Sequence, residues 1–293
     1  MKLDLARFTK SVALAAVLVL AILNAPRAST QAEGQQTFAS SKEAVDTFMG
    51  AVRDGDSSDL KAILGPGSEQ IISSGDSVAD KTARDNFVAN YDVKHSLVEA
   101  APHQLTLNVG KGDWPLPIPL VHAHEKWYWD GMAGKEEIPY RRIGHNELAA
   151  ISVCKGVVAA QRDYAASGHD GHLAGSYAAR IVSEPGKQNG LYWEVKEGES
   201  VSPAGPLLAQ ANAEGYDTSG QRTPYHGYYY RMLQSQGGFG FLAYPAEYRS
   251  SGVMTFIVNK KGVIYQKDLG ENTTDIEQQM TEFKVDPSWK AVK

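Results

Sequence analysis

The stretch from Tyr140 to Ala166, YRRIGHNELAAISVCKGVVAAQRDYAA, constrains the fold more than any other part of the chain. Leu148, Ile151, Cys154, Val158, Gln161 and Ala165 recur at spacings of three and four, which lays a mostly apolar stripe along one side of a helix. The spacing predicts a long, half-buried helix. Upstream the sequence reads as short helices and then a compact run of strands, and downstream as a Gly- and Tyr-rich β region. The helix is therefore expected to be the spine of a second domain.

In the first part, Ser40 or Ser41 is placed to cap a helix that carries Ala44, Val45, Phe48, Met49 and Val52 on one face and stops at Asp54-Gly55-Asp56. A second helix, 58–64, ends at Gly65-Pro66-Gly67, and a third, about 79–91, has Asp76 or Ser77 as its cap. From His95 the period changes to two. Leu105, Leu107 and Val109 alternate with polar residues, a turn follows at 110–113, and strands are expected at 114–121 and 125–130. Pro115, Pro117 and Pro119 would place the first of these at a sheet edge, because proline cannot donate to a ladder. After the long helix the sequence predicts a helical piece at 177–182, a helix at 206–214, and strands at 227–233, 239–244, 253–259 and 263–269. Lys260-Lys261-Gly262 supplies the last hairpin turn, and an amphipathic helix at 274–283 precedes a polar end. Helices followed by sheet, twice over, is an α+β order.

Composition narrows the classes of function. Lys2, Arg7 and Lys10 precede an apolar run from Val12 to Leu23 and a small-residue stretch, the order of a secretory leader, with cleavage expected after Ala32 or alternatively Ala28. The run is shorter than the roughly 20 residues a spanning helix needs, so membrane contact is expected only during export and the mature protein in the periplasm or medium. Loss of residues 1–32 removes four basic residues and one acidic residue, taking the net charge from −5 to −8. An acidic chain without a Lys/Arg cluster is a poor partner for nucleic acid. The single cysteine, Cys154, lies on the apolar stripe and reads as a small buried hydrophobe.

No nucleophile elbow, phosphate loop or zinc-protease motif is present, and no cofactor or metal is expected. His122, His124 and Glu125 lack a third ligand on their face, and His169, Asp170 and His172 lack the several oxygens of a calcium site, so both read as polar turns. Glu136 and Glu137, read on a strand, would face opposite ways. The densest signal is Tyr225-His226-Gly227-Tyr228-Tyr229-Tyr230. In a strand Tyr228 and Tyr230 share a face, which suits either core packing or contact with sugar, peptide or protein. Trp114, Trp127 and Trp129 could line the mouth of a pocket or pack a core.

Several ordered stretches, among them GDWPLPIPLV (112–121), RRIGHNELAAI (141–151), PGKQNGLYW (185–193), TPYHGYYYRML (223–233) and YPAEYRSSGVMTFIVN (244–259), resemble a bacterial family catalogued as domain of unknown function 2950. The resemblance covers nearly the whole mature chain but implies no activity. Two departures from the pattern are a missing insertion after Gln236 and histidines in place of an acidic loop near Asp170. In element order the first half looks like the cone-shaped fold of the nuclear transport factor 2 superfamily, and the second like the globular part of type IV pilins and pseudopilins. The resulting expectation is a leader (1–32), a cone-like domain (33–139) and a pilin-like domain (140–293). They would act together as a non-catalytic binding or assembly module for an envelope protein or small ligand. The alternative is a small hydrolase or isomerase using Asp92, His95 or His122 in the first domain's pocket.

Overall fold

The computed structural model describes residues 31–195, 198, 201–217 and 223–292. The leader expected over 1–32 lies outside them except for Gln31 and Ala32. Among the described residues no helix is long and apolar enough to cross a membrane.

The first half opens with helices α1 (Ser41–Asp54), α2 (Ser57–Leu64), α3 (Glu69–Ile72) and α4 (Ser77–Val93). Their ends follow local chemistry. Ser40 accepts from Glu43 N, Asp56 from Ser58 N and Asp59 N, and Asp76 from Ala79 N, while Gly55 closes α1 in the left-handed region. The five apolar residues expected on one face of α1 are all buried. A five-stranded antiparallel sheet follows, made of β1 (His95–Ala101), β2 (Gln104–Val109), β3 (Trp114–Pro115), β4 (Leu120–Ala123) and β5 (Lys126–Trp129), ordered β1-β2-β4-β5 with β3 beside β2. The proline-bearing strand is thus split, and its second piece lies inside the sheet rather than at an edge. Only alternate N–H groups face β2, and Leu116 N reaches Leu107 O at 2.8 Å. The prolines fall on the other side, where they withhold no bond from β2. Phe48 and Trp129, centroids 4.8 Å apart, sit at the middle of this half's core.

Helix α5 runs from Gly131 to Ala166, nine residues earlier than expected, and passes Pro139 without breaking. Asp130 caps it through Ala133 N. Its first two turns carry glycine because α5 lies hard against the first half: a Cβ on Gly131 would stand 2.2 Å from Leu64 O, and one on Gly134 2.6 Å from Ile118 Cγ1. Glu137 is therefore helical, not on a strand, and pairs with Arg141 one turn on at 2.6 Å. The buried face of α5 also differs from the expected stripe. Ala150, Cys154, Val157, Val158, Gln161 and Tyr164 are buried, whereas Leu148 is 70% exposed. Gln161 is accommodated inside because its amide exchanges two hydrogen bonds with the backbone of Ala178, at 2.8 and 2.9 Å. That pairing takes Ala178's own N–H and C=O, so the helix expected at 177–182 does not form. Val182 instead bridges Tyr192.

Helix α6 (Gly205–Ala213) leads to the second antiparallel sheet, built from β6 (Tyr228–Leu233), β7 (Gly240–Pro245), β8 (Met254–Asn259), β9 (Ile264–Asp268) and β10 (Lys290–Ala291), in the order β10-β9-β8-β7-β6. One face, with Phe241, Ala243, Phe256 and Val258, packs on α5. The other, with Leu242, Tyr244 and Ile257, is covered by Trp289, Met280 and Phe283 around α7 (Thr273–Gln279). Burial on both faces explains why β7 is buried along its whole length. The two sheets stay separate, each with its own core, and α5 touches both.

Candidate functional site

The two halves meet along the polar side of α5, and the groups that join them are mostly buried. Asp76, the α4 cap, is 2% exposed. Its second oxygen accepts from Tyr216 Oη at 3.0 Å and from Gly227 N at 2.8 Å, 151 residues away in the chain. Asn146 on α5 donates to Ser251 O at 2.9 Å and lies directly under Gly227, where a Cβ would come within 2.4 Å of its Nδ2.

Gly227 belongs to a two-residue turn. His226 (φ 49°) and Gly227 (φ 71°) are both left-handed, and Tyr225 and Tyr228 exchange backbone hydrogen bonds at 2.9 and 3.2 Å, as in a type I′ hairpin. The turn delivers the His226 ring to the seam. Its Nε2 lies 3.0 Å from Glu214 Oε2, close but out of line for a hydrogen bond, since that oxygen accepts no aligned one. Tyr225, Tyr216 and His145 surround the ring at centroid distances of 4.2, 5.7 and 6.1 Å. Burial, the largest influence, lowers the His226 pKa; Glu214 opposes the shift and His145 adds to it. Tyr216 and Tyr225 are raised by burial first and then by Asp76 and Glu214 respectively, so both stay protonated donors.

The His226 shift has a sign that can be measured. Between the lower folded pKa and the ordinary value of 6.5, the unfolded chain binds more protons than the folded one, so stability rises with pH across that window. Acidification below about pH 6.5 is therefore expected to destabilise the protein, and His226→Gln to flatten that part of a denaturant-midpoint profile.

Two cavities share the Tyr216–His226 wall. The larger, about 580 Å³, is the open interior of the first half: Val52, Leu60, Phe87, Ile118 and Ile138 form apolar walls, and Arg142, His145, Asn146, Glu214, Tyr216 and His226 close the seam end. The smaller, about 420 Å³, lies between α5, α6 and the second sheet, with Leu207, Leu208, Tyr225 and Tyr230 on its walls. Both fall in the size range of small-molecule sites.

The residues singled out in the sequence are dispersed. Tyr225 and His226 reach the seam. Tyr228 does not: it is 0% exposed and donates to Met254 O, so it packs under α5 and presents no surface. Tyr230 shares that face, donates to Tyr225 O at 3.2 Å and borders the smaller cavity. The three tryptophans do not converge on a mouth. Trp129 is a core residue whose indole donates to Ala44 O, Trp127 lies against His122, and Trp114, 41% exposed, carries Arg141 over its ring. His124-Glu125 and Asp170-Gly171 occupy left-handed turn positions, and no metal-holding cluster occurs among the described residues. Cys154 is buried, with its thiol pushed up to about 12, which leaves it inert. The seam groups Asp76, Arg142, Asn146, Glu214 and Tyr216 were not candidates in the sequence. Asp76 shows only as a cap, and nothing local announces a partner 140 residues away.

The model of the family described as Protein of unknown function (DUF2950) matches residues 35–238 and 236–292. The chain belongs to this family. The two matched pieces cover both halves, the seam and α5 together, and they overlap at 236–238. No curated protein and no solved structure matches.

Proposed function

We propose that the protein is an exported cell-envelope binding module whose ligand occupies the larger cavity. On this reading a cone-like first domain supplies the apolar chamber, and a pilin-like second domain closes it at the seam. The division at 139/140 then falls within α5, which serves both. Export to the periplasm or medium rests on the leader-like order of the first 32 residues. The observation that carries the binding role is the cavity itself: about 580 Å³ of mostly apolar space, with polar groups from both halves gathered at one end.

A neutral apolar fluorophore, N-phenyl-1-naphthylamine, tests it. Uptake of about one equivalent is expected. Ala83→Trp, placed at an exposed position of α4 that borders the cavity, should abolish uptake without lowering the unfolding midpoint. Equal uptake by both proteins would remove the reading.

A second reading, a hydrolase or isomerase, is favoured by one observation, the His226–Glu214 contact at the cavity wall. It cannot use the residues first considered. Asp92 is paired with Arg53, His95 stacks on Tyr91, and His122 lies against Trp127; none of the three lines either cavity. Binding is the better reading because the His226 Nε2 is turned toward Glu214 and Asp76 is committed to the seam.

A further inference from the structure

Charge is unevenly placed around the larger cavity. Arg84, Arg141 and Arg142 border it against Asp80 and Glu214, in a chain whose 34 acidic residues outnumber its 29 basic ones. Arg141 is already committed to Glu137 and to the ring of Trp114. Arg142 is not. Its Nη1 and Nη2 donate to the carbonyls of Gln70 and Ile71, at 2.8 and 3.2 Å, and no carboxylate among the described residues forms an ion pair with it.

Two carbonyls occupy two of the five N–H groups of a guanidinium. Burial costs this cation more than the charges of Asp80 and Glu247 return, since its pKa is lowered with desolvation as the leading cause. A half-desolvated guanidinium with spare donors matches a planar carboxylate in a two-bond fork. The neighbouring Asp80 and Glu214 disfavour any ligand carrying a second negative charge. Away from Arg142 the walls are hydrocarbon: Phe87, Ile118 and Ile138.

We infer that the cavity takes a long-chain monocarboxylate, its head paired with Arg142 and its chain laid along the Phe87–Ile118 wall. This rests on the binding role proposed above and adds the chemical class of the ligand. Arg142 is the specificity determinant, and the walls supply affinity in proportion to chain length.

Calorimetric titration of the purified protein with dodecanoate, decanoate and dodecanol, all below their micellar concentrations, tests the inference. Dodecanoate should bind about fifteen-fold more tightly than decanoate, from two further buried methylenes. It should also bind at least about ten-fold more tightly than dodecanol, because only the carboxylate engages the guanidinium. Arg142→Gln should erase the preference for acid over alcohol while leaving dodecanol binding in place, which also shows that the cavity is still built. Arg142→Lys should keep part of it, since the charge remains without the fork. Equal binding of dodecanoate and dodecanol by the unaltered protein would overturn the inference and leave the cavity's binding role standing, as would a preference that survives Arg142→Gln. Uptake of N-phenyl-1-naphthylamine with no binding of either chain would overturn the ligand class alone. Failure of all four probes would overturn both.

Discussion

Asp76→Ala is expected to lower stability by about 3–5 kcal/mol, most of it from the seam rather than from helix α4. The cap contributes about 0.5–2 kcal/mol of that. The remainder comes from stranding the Tyr216 hydroxyl and the Gly227 N–H, two donors whose acceptor is the same buried oxygen, at about 1–1.5 kcal/mol each, the lower part of the range for a stranded buried donor. In a chain of this size that corresponds to a fall in unfolding midpoint of roughly 5–10 °C. Asp76→Asn keeps an acceptor of the same shape and should cost about half as much. Asp46→Ala, which removes an exposed i,i+4 partner of Lys42, should change stability by no more than about 0.5 kcal/mol. Because Tyr216 and Gly227 belong to the second half and α4 to the first, the loss should fall on their joining. Hydrogen exchange would locate it, with protection falling along α4 and the Tyr225–Tyr228 turn and little changed in β7 and β8. An Asp76→Ala protein as stable as Asp46→Ala would show that the seam contributes no cohesion.

Trp129→Ala is the second large effect, and it separates two roles for the same aromatic signal. Trp129 is 0% exposed, packs on Phe48 at 4.8 Å and donates its indole N–H to Ala44 O at 3.1 Å. Truncation should cost about 3–5 kcal/mol from the lost side chain and its cavity, and about 1 kcal/mol more from the missing hydrogen bond. Trp114→Ala should cost less than about 1 kcal/mol, since that ring is partly in solvent. The expected order in urea midpoints is thus Trp129→Ala far below Trp114→Ala. Had the tryptophans lined a pocket mouth together, the two substitutions would have changed ligand affinity alike and stability little.

What could be read from the sequence was whatever nearby residues decide. The α1 stripe, the caps at Ser40 and Asp76, the stop at Gly55 and the β8–β9 turn at 260–262 depend on contacts within a few positions, and they lie where the pattern put them. The start of α5 was hidden because Gly131, Gly134 and Pro139 look like helix breakers. Gly131 and Gly134 are there so that the helix can lie against Leu64 and Ile118, contacts between elements that no window of sequence contains. Leu148 was misplaced for a related reason. The buried face is centred on Ala150, Cys154, Val157, Gln161 and Tyr164, a phase set by what packs against α5, and Leu148 falls outside it. Of the site, the sequence offered His226 and Tyr225 through their aromatic density. Asp76 and Arg142 act through partners roughly 70 to 150 residues away, so their roles emerge only once the halves are joined.

If both halves, held side by side by α5, contribute walls to the larger cavity's ligand site, backbone amide shifts recorded while N-phenyl-1-naphthylamine is titrated in must appear on both sides of the seam. Concerted shifts at Ala83 and Ile118 in the first half and at Asn146 and His226 in the second, saturating at one equivalent, are the expected result. Shifts confined to a single half, or centred on the separate hollow beside His169 and Trp193, would contradict it.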